Sequence, residues 1–272
     1  MSIVGITSIT ADPKAPAAIG ATLGRYGLRA LGGSWQTTAD KVQAVDWRPM
    51  VDAFVAQRAA LWLVLADAAS MADPALRYGL NLMASSLRAA LGAGLPIAVL
   101  RAAEAGKVSS SSSPLLLPAQ LRDAQLLDAD ATWPAKVVAR VHRPRAAVQP
   151  APDLLTVHGN DQLGQWFELA PGEGSWPGLV FAVAGAGASI DFQATGPRGG
   201  LPEKAVIAYG QQGLKLESAG KAFTGWALRN EVGATEGGPV SYYARVRGRP
   251  EALLWMPYTE DDDAQATLLS LD

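Results

Sequence analysis

The chain changes texture between Arg143 and Asp153, in the stretch Arg-Pro-Arg-Ala-Ala-Val-Gln-Pro-Ala-Pro-Asp. Before it, Ala- and Leu-rich segments with helical spacing alternate with short apolar runs. After it, short alternating segments are separated by glycine and proline. The first 150 residues hold 10 of the 28 glycines, and the remaining 122 hold 18. Such a switch of hydrophobic period predicts two domains of different architecture. The expected division is an α/β domain over residues 1–145, a linker over 146–153, an all-β domain over 154–260 and an acidic C-terminal tail over 261–272. Three prolines between positions 143 and 153 predict an extended, fairly stiff connection.

In the first part, Ile3-Val-Gly-Ile-Thr7 reads as a strand. Residues 14–26, with Ile19, Leu23 and Tyr26 at helical spacing, read as an amphipathic helix. Leu28-Arg-Ala-Leu31 is a second strand candidate, ended by Gly32-Gly33. A helix over Trp47–Ala60 follows, with Asp46 as its expected N-cap. Leu61-Trp-Leu-Val-Leu-Ala66 is apolar at every position, as a strand covered on both faces must be. Asp73-Pro74 then opens a long helix to about Leu91, because aspartate caps and proline tolerates the first helical position. Leu95–Leu100 and Gln125–Asp128 are further strands. Pro134–Val141 is a closing helix, with Thr132 as its expected cap. Strands alternating with helices imply a mostly parallel sheet covered on both faces, a three-layer domain of flavodoxin-like shape.

The second part offers nine short strand candidates: Leu154–His158, Gly164–Leu169, Leu179–Ala184, Ala188–Thr195, Ala205–Tyr209, Leu214–Glu217, Ala222–Arg229, Val240–Val246 and Ala252–Tyr258. Gly/Pro turns between them predict an antiparallel sandwich or barrel. In Ser189-Ile-Asp-Phe-Gln-Ala194, alternation predicts Ile190 and Phe192 inward, with Ser189, Asp191 and Gln193 outward. In Ser241–Arg247 it places Tyr242, Ala244 and Val246 on one face.

Composition narrows the chemistry. A net charge of −2 gives no excess for steering onto phosphate backbones, so nucleic acid is not an expected partner. The chain has no cysteine, which removes disulfides, thiol nucleophiles and Cys-ligated zinc. No apolar run reaches membrane-spanning length, the N-terminus reads as a strand and not as a signal peptide, and the cytoplasm is the expected compartment. The Ala, Gly and Arg bias suggests a bacterial source. No cofactor and no metal is expected. Gly20, Gly24 and Gly27 do not form the dinucleotide fingerprint, and the phosphate-loop and nucleophile-elbow patterns are absent. The two histidines, His142 and His158, read as a helix-end residue and as decoration of the turn Gly159-Asn-Asp161 that follows it. The Ser109–Ser113 run reads as a surface loop, with a lid or partner-contact role as the functional option, and Thr259–Asp263 as a solvated acidic stretch.

What remains is the carboxyl edge of the parallel sheet, where open α/β folds bind ligands. Ser8, Thr10 and Asp12 follow the first strand, Asp67 and Ser70 follow the apolar strand, and Arg101 follows the next. These six are the candidate ligand-binding residues; for Asp12 and Asp67 the competing expectation is turn capping. In the β-domain, Trp176, Tyr242 and Tyr243 are the candidate contact aromatics. The leading expectation is a non-catalytic two-domain protein, with an α/β interaction or small-ligand-sensing unit joined to a β-sandwich binding module. Its partner would be another protein or a small polar ligand, and a homo-oligomer is compatible with the pattern. One alternative is an enzyme acting on a nucleotide or related glycosidic substrate through the edge carboxylates. The other is carbohydrate binding by the β-domain.

Overall fold

The computed structural model describes residues 1–102, 115–143, 152–203, 207–259 and 265–272. The Ser109–Ser113 run, nearly all of the expected linker and most of Thr259–Asp263 lie outside these residues. Spatial clustering divides the chain into two units, Met1–Ala39 with Trp47–Gln149, and Asp40–Asp46 with Pro150–Asp272.

The first unit contains β1 (Ile3–Ser8), α1 (Ala15–Arg25), β2 (Arg29–Ser34), α2 (Arg48–Ala56), β3 (Leu61–Ala66), α3 (Ala68–Ala72), α4 (Pro74–Leu91), β4 (Ile97–Arg101), β5 (Gln125–Asp128) and α5 (Trp133–His142). Its five strands are all parallel, in the order β2-β1-β3-β4-β5. The chain reverses direction across the sheet between β1 and β3, the flavodoxin-like arrangement. Every residue of β3 is buried, as its unbroken apolar run requires. Val4, Ile6, Leu61, Leu63, Leu65, Ala98 and Leu100 pack with Leu23 of α1 and with Trp133 and Val137 of α5. On β3, alternate side chains point the other way, so Trp62 lies on the opposite face. Its Nε1 donates to the Thr7 hydroxyl at 2.9 Å, and that hydroxyl donates to Met50 Sδ of α2 at 3.1 Å. Trp35 packs directly on α4 at Gly79, where an added Cβ would stand 2.2 Å from the indole.

Asp73 caps α4 as expected, accepting from the Ala75 and Leu76 amides at 2.7 and 3.2 Å. The other two expected caps are corrected. Trp47 stands at the N-cap of α2 without a side-chain bond, and Asp46 clusters with the second unit. Thr132 makes no side-chain cap on α5; its hydroxyl donates to Asp130 at 2.7 Å. β2 also runs past Leu31 through both glycines, because its parallel register with β1 continues to Ser8 opposite Ser34.

The second unit contains β6 (Asp153–Asn160), β7 (Gly164–Pro171), β8 (Ser175–Trp176), β9 (Leu179–Ala184), β10 (Ser189–Pro197), β11 (Gln211–Ser218), β12 (Lys221–Leu228), β13 (Val232–Thr235), β14 (Gly238–Arg247), β15 (Ala252–Pro257) and β16 (Thr267–Ser270). They form two antiparallel sheets, a β-sandwich. One sheet runs β6-β7-β14-β13-β8, with β10 also paired to β14, and the other runs β11-β12-β9-β15-β16. Phe167 and Tyr242 of the first sheet meet Phe181 of the second, at ring separations of 6.1 and 5.8 Å, which fixes the inner faces. Val42, the first residue of a short 3-10 turn at Val42–Ala44, and Val45, which ends that turn, are both buried and belong to this unit as well.

Four expectations change here. Ile207–Tyr209 is not strand, and the residues just before it lie outside the described set. Thr267–Ser270, expected in a tail, is an edge strand on β15. Asp153, expected in the linker, begins β6, and its Oδ2 accepts from Trp255 Nε1 at 2.8 Å and from the Thr267 hydroxyl at 2.9 Å. That carboxylate clasps one sheet to the other. The fourth change concerns β10. Its register with β14 shifts between Ile190 and Phe192, a β-bulge. A bulge advances the alternation by one residue. Ile190 stays inside, but Phe192 turns outward at 39% exposure, and Gln193 turns inward to bond the Ala227 carbonyl.

Candidate functional site

The residues expected at the carboxyl edge of the parallel sheet are bound into their own loops. Ser8 is fully buried, with its Oγ 3.0 Å from the Thr10 hydroxyl. The Thr10 carbonyl accepts from Gln36. Asp12 is exposed and accepts from the Lys14 amide at 2.9 Å, an Asx turn. Asp67 is the N-cap of α3; its Oδ1 accepts from the Ser70 amide at 2.7 Å and hydroxyl at 2.8 Å. The Ser70 hydroxyl in turn accepts from the Asp67 amide, closing a capping box. Arg101 faces Asp128 on the neighbouring strand, with an N–O separation of 3.5 Å. Both edge carboxylates, Asp12 and Asp67, are thus engaged with the backbone. A groove of about 550 Å³ runs elsewhere, along α1 and β2, between Pro13, Ala17, Gly20, Gly24, Ala30 and Gly32. None of Asp12, Asp67, Ser70 or Arg101 lines it.

In the sandwich, the expected contact aromatics are not a surface platform. Tyr242 is fully buried against Phe181, and its hydroxyl donates to Gln193. Tyr243 is also fully buried. Trp176 is half-buried in the two-residue β8, paired with Val232. The correction has a simple cause. Adjacent residues of one strand point to opposite faces, so Tyr242 enters the core, while Tyr243, on the outer face, is held against Glu168 and the end of β10. Its hydroxyl reaches the Pro197 carbonyl at 2.5 Å.

The outer face of the β6-β7-β14-β10 strands carries a different constellation. Strand register sets His158 opposite Trp166, Trp166 opposite Arg245, and Arg245 opposite Phe192. Four strands therefore contribute one row, an imidazole, an indole, a guanidinium and a phenyl, spanning about 14 Å at ordinary strand spacing. Trp166 and Phe192 meet edge to face at 5.6 Å. The Arg245 guanidinium lies over both rings, at 5.6 and 5.9 Å. Asp191, the bulged residue, bonds Arg245 Nε at 2.7 Å and also bonds Arg247 Nε. Its burial would raise its pKa, but the two arginines hold it below the usual aspartate value.

Beside this row lies Glu168, 5% exposed. Its Oε2 is 2.5 Å from His158 Nε2, and its Oε1 accepts from the Gly199 amide at 2.8 Å and the Tyr243 hydroxyl at 3.1 Å. Burial alone would raise the carboxyl pKa; the hydrogen bonds from His158 and Gly199 outweigh it and hold the group below its ordinary value. The same burial, together with the Glu168 charge, pushes the Tyr243 hydroxyl up. A buried carboxylate thus fixes His158 at one end of the row, and a bulged carboxylate fixes Arg245 and Arg247 at the other.

His158 lies in β6, as the strand candidate Leu154–His158 has it, and it faces Glu168 instead of only decorating the turn that follows. The turn begins two residues later, where Asn160 Oδ1 accepts from the Gln162 and Leu163 amides and Gly164 takes a positive φ of 69°. The signal was present. Leu155 and Val157 alternate with Thr156 and His158, and Phe167 and Leu169 with Trp166 and Glu168. A hairpin closed at Asn160–Gly164 puts the outer members together. Asp191 and Phe192 carried no such signal, because the bulge inverts their phase. Among the described residues, no group of three or more His, Cys, Asp or Glu could hold a metal ion, and no helix is long and apolar enough to cross a membrane. No protein-family model matches the chain, and no curated protein matches it.

Proposed function

We propose that this is a non-catalytic binding protein whose recognition surface is the outer face of the β6-β7-β14-β10 strands, with the α/β unit as an interaction or small-ligand-sensing partner to that module. One observation carries the reading: the row His158–Trp166–Arg245–Phe192 groups planar and cationic side chains from four strands, held from both ends by carboxylates. Partly exposed aromatic and arginine side chains on a rigid sheet bind at low entropic cost, and such residues dominate recognition energetics. The engagement of Asp12 and Asp67 in turn and cap bonds supports the absence of catalysis at the other unit.

The test is a thermal-shift survey of saccharides, nucleotides and short peptides on the whole chain, repeated with Trp166→Ala and Phe192→Ala. A ligand that binds only the folded state raises the melting temperature. The reading expects hits whose shifts vanish in both variants. Hits untouched by either variant, or turnover of any compound that Asp67→Asn or Asp12→Asn abolishes, would refute it.

A further inference from the structure

Resting on that reading of the sheet face, we propose that Arg245 and Arg247 form a preorganised site for the phosphoryl group of a ligand whose planar or apolar part lies against Trp166 and Phe192.

The argument begins with the bulge. By inserting Asp191 between Ile190 and Phe192, it aims a carboxylate at two arginines that sit two residues apart on β14, on the same face. Each oxygen of Asp191 takes the Nε of one guanidinium. These bonds orient both planes through Nε, on side chains that are 35% and 68% exposed. Two arginines and one aspartate leave a local charge of +1, counting these three groups. The remaining four nitrogens form a pair of forks. A carboxylate, with two oxygens, satisfies one fork; a phosphoryl group, with three, can engage both. The aromatic pair adjoining Arg245 supplies the second half of the recognition, since Phe192 is 39% exposed and stands edge-on to Trp166. Inward, the same rotation of phase gives nothing to bind, because Gln193 is bonded to Ala227 and Tyr242. The bulge therefore creates the site and the core contact in one step.

Asp191 distinguishes a built site from a patch of positive charge. If the arginines act only through their field, neutralising Asp191 strengthens anion binding. If they act as an oriented pair, the same change weakens it. The experiment is titration of the whole chain with phenyl phosphate, inorganic phosphate and benzoate at fixed ionic strength, followed by tryptophan fluorescence and calorimetry. The expected order is phenyl phosphate tighter than inorganic phosphate, and both tighter than benzoate. Arg245→Gln and Arg247→Gln are expected to weaken phenyl phosphate at least tenfold, and Asp191→Asn to weaken it severalfold despite removing a negative charge. Trp166→Ala is expected to bring phenyl phosphate down to the affinity of inorganic phosphate. Arg247 is largely exposed, so its variant reports on binding without threatening the fold. Tighter binding by Asp191→Asn, or equal affinity for benzoate and phenyl phosphate, overturns the proposal. Neutral ligands that bind through Trp166 while all three probes fail would overturn it too, and would leave the recognition face standing; failure of every ligand at Trp166 removes both.

Discussion

Glu168→Ala removes one acceptor from three donors at once. The side chain is 5% exposed and receives His158 Nε2, the Gly199 amide and the Tyr243 hydroxyl. His158 is 13% exposed and can turn toward water, and the Tyr243 proton still has the Pro197 carbonyl. The Gly199 amide loses its partner, and the charge-assisted bond to His158 is lost. Losing that bond to a charged group and leaving the amide unpaired together cost about 3–5 kcal/mol. With a urea m-value of roughly 2 kcal/mol/M, the midpoint falls by about 1.5–2.5 M. Glu168→Gln behaves differently. Its amide oxygen can occupy the Oε1 position and still accept from Gly199 and Tyr243, while its NH₂ takes the Oε2 position beside His158. About 1–2 kcal/mol is the expected cost. The pH dependence follows from the sign of the shift. The carboxyl pKa is below its ordinary 4.5, so its stabilisation is fully present above that value and is lost as pH falls through the folded value. Glutamine does not titrate, so the advantage of wild type over Glu168→Gln shrinks as the pH falls below 4.5. Urea titrations at several pH values, followed by tryptophan fluorescence, measure all three. If Glu168→Gln is as damaging as Glu168→Ala at pH 7, or its gap from wild type holds constant into acid, the assignment of these bonds is wrong.

Gly79→Ala would drive a Cβ to 2.2 Å from the Trp35 ring, and overpacking of this kind costs about 1–3 kcal/mol; a melting temperature within a degree of wild type would contradict the close packing. Asp153→Ala strands Trp255 Nε1 and the Thr267 hydroxyl, which predicts a loss of about 1–3 kcal/mol and faster amide exchange along β16; unchanged exchange there would refute the clasp. Asp67→Ala removes one helix cap and is expected to cost about 1 kcal/mol in urea denaturation, with no change in any ligand-induced thermal shift.

The all-apolar run of β3, the Asp73-Pro74 helix start and the Gly/Pro turns of the second unit made the architecture legible in one dimension, because periodicity and capping are local consequences of burial. The candidate site was legible only in part. His158, Trp166 and Glu168 belong to one hairpin, so alternation and the Asn160–Gly164 turn could have joined them. The edge residues Ser8, Asp67 and Arg101 could be assigned to the ends of strands, but whether Asp67 would cap its own helix or meet a ligand depended on loop conformation. Alternation also misplaced Phe192 and Gln193, since one unpaired residue exchanges the two faces.

By itself, then, the sequence determined the sheet types, the places where helices start, and which strand positions alternate. Only the tertiary structure decided which outward residues meet. Asp191 and Arg245 are 54 positions apart, and they are joined by strand register and a bulge. Burial periodicity records the face a residue takes. It carries no information about its cross-strand neighbour, because that neighbour is chosen by hydrogen bonding between backbones far apart in the chain.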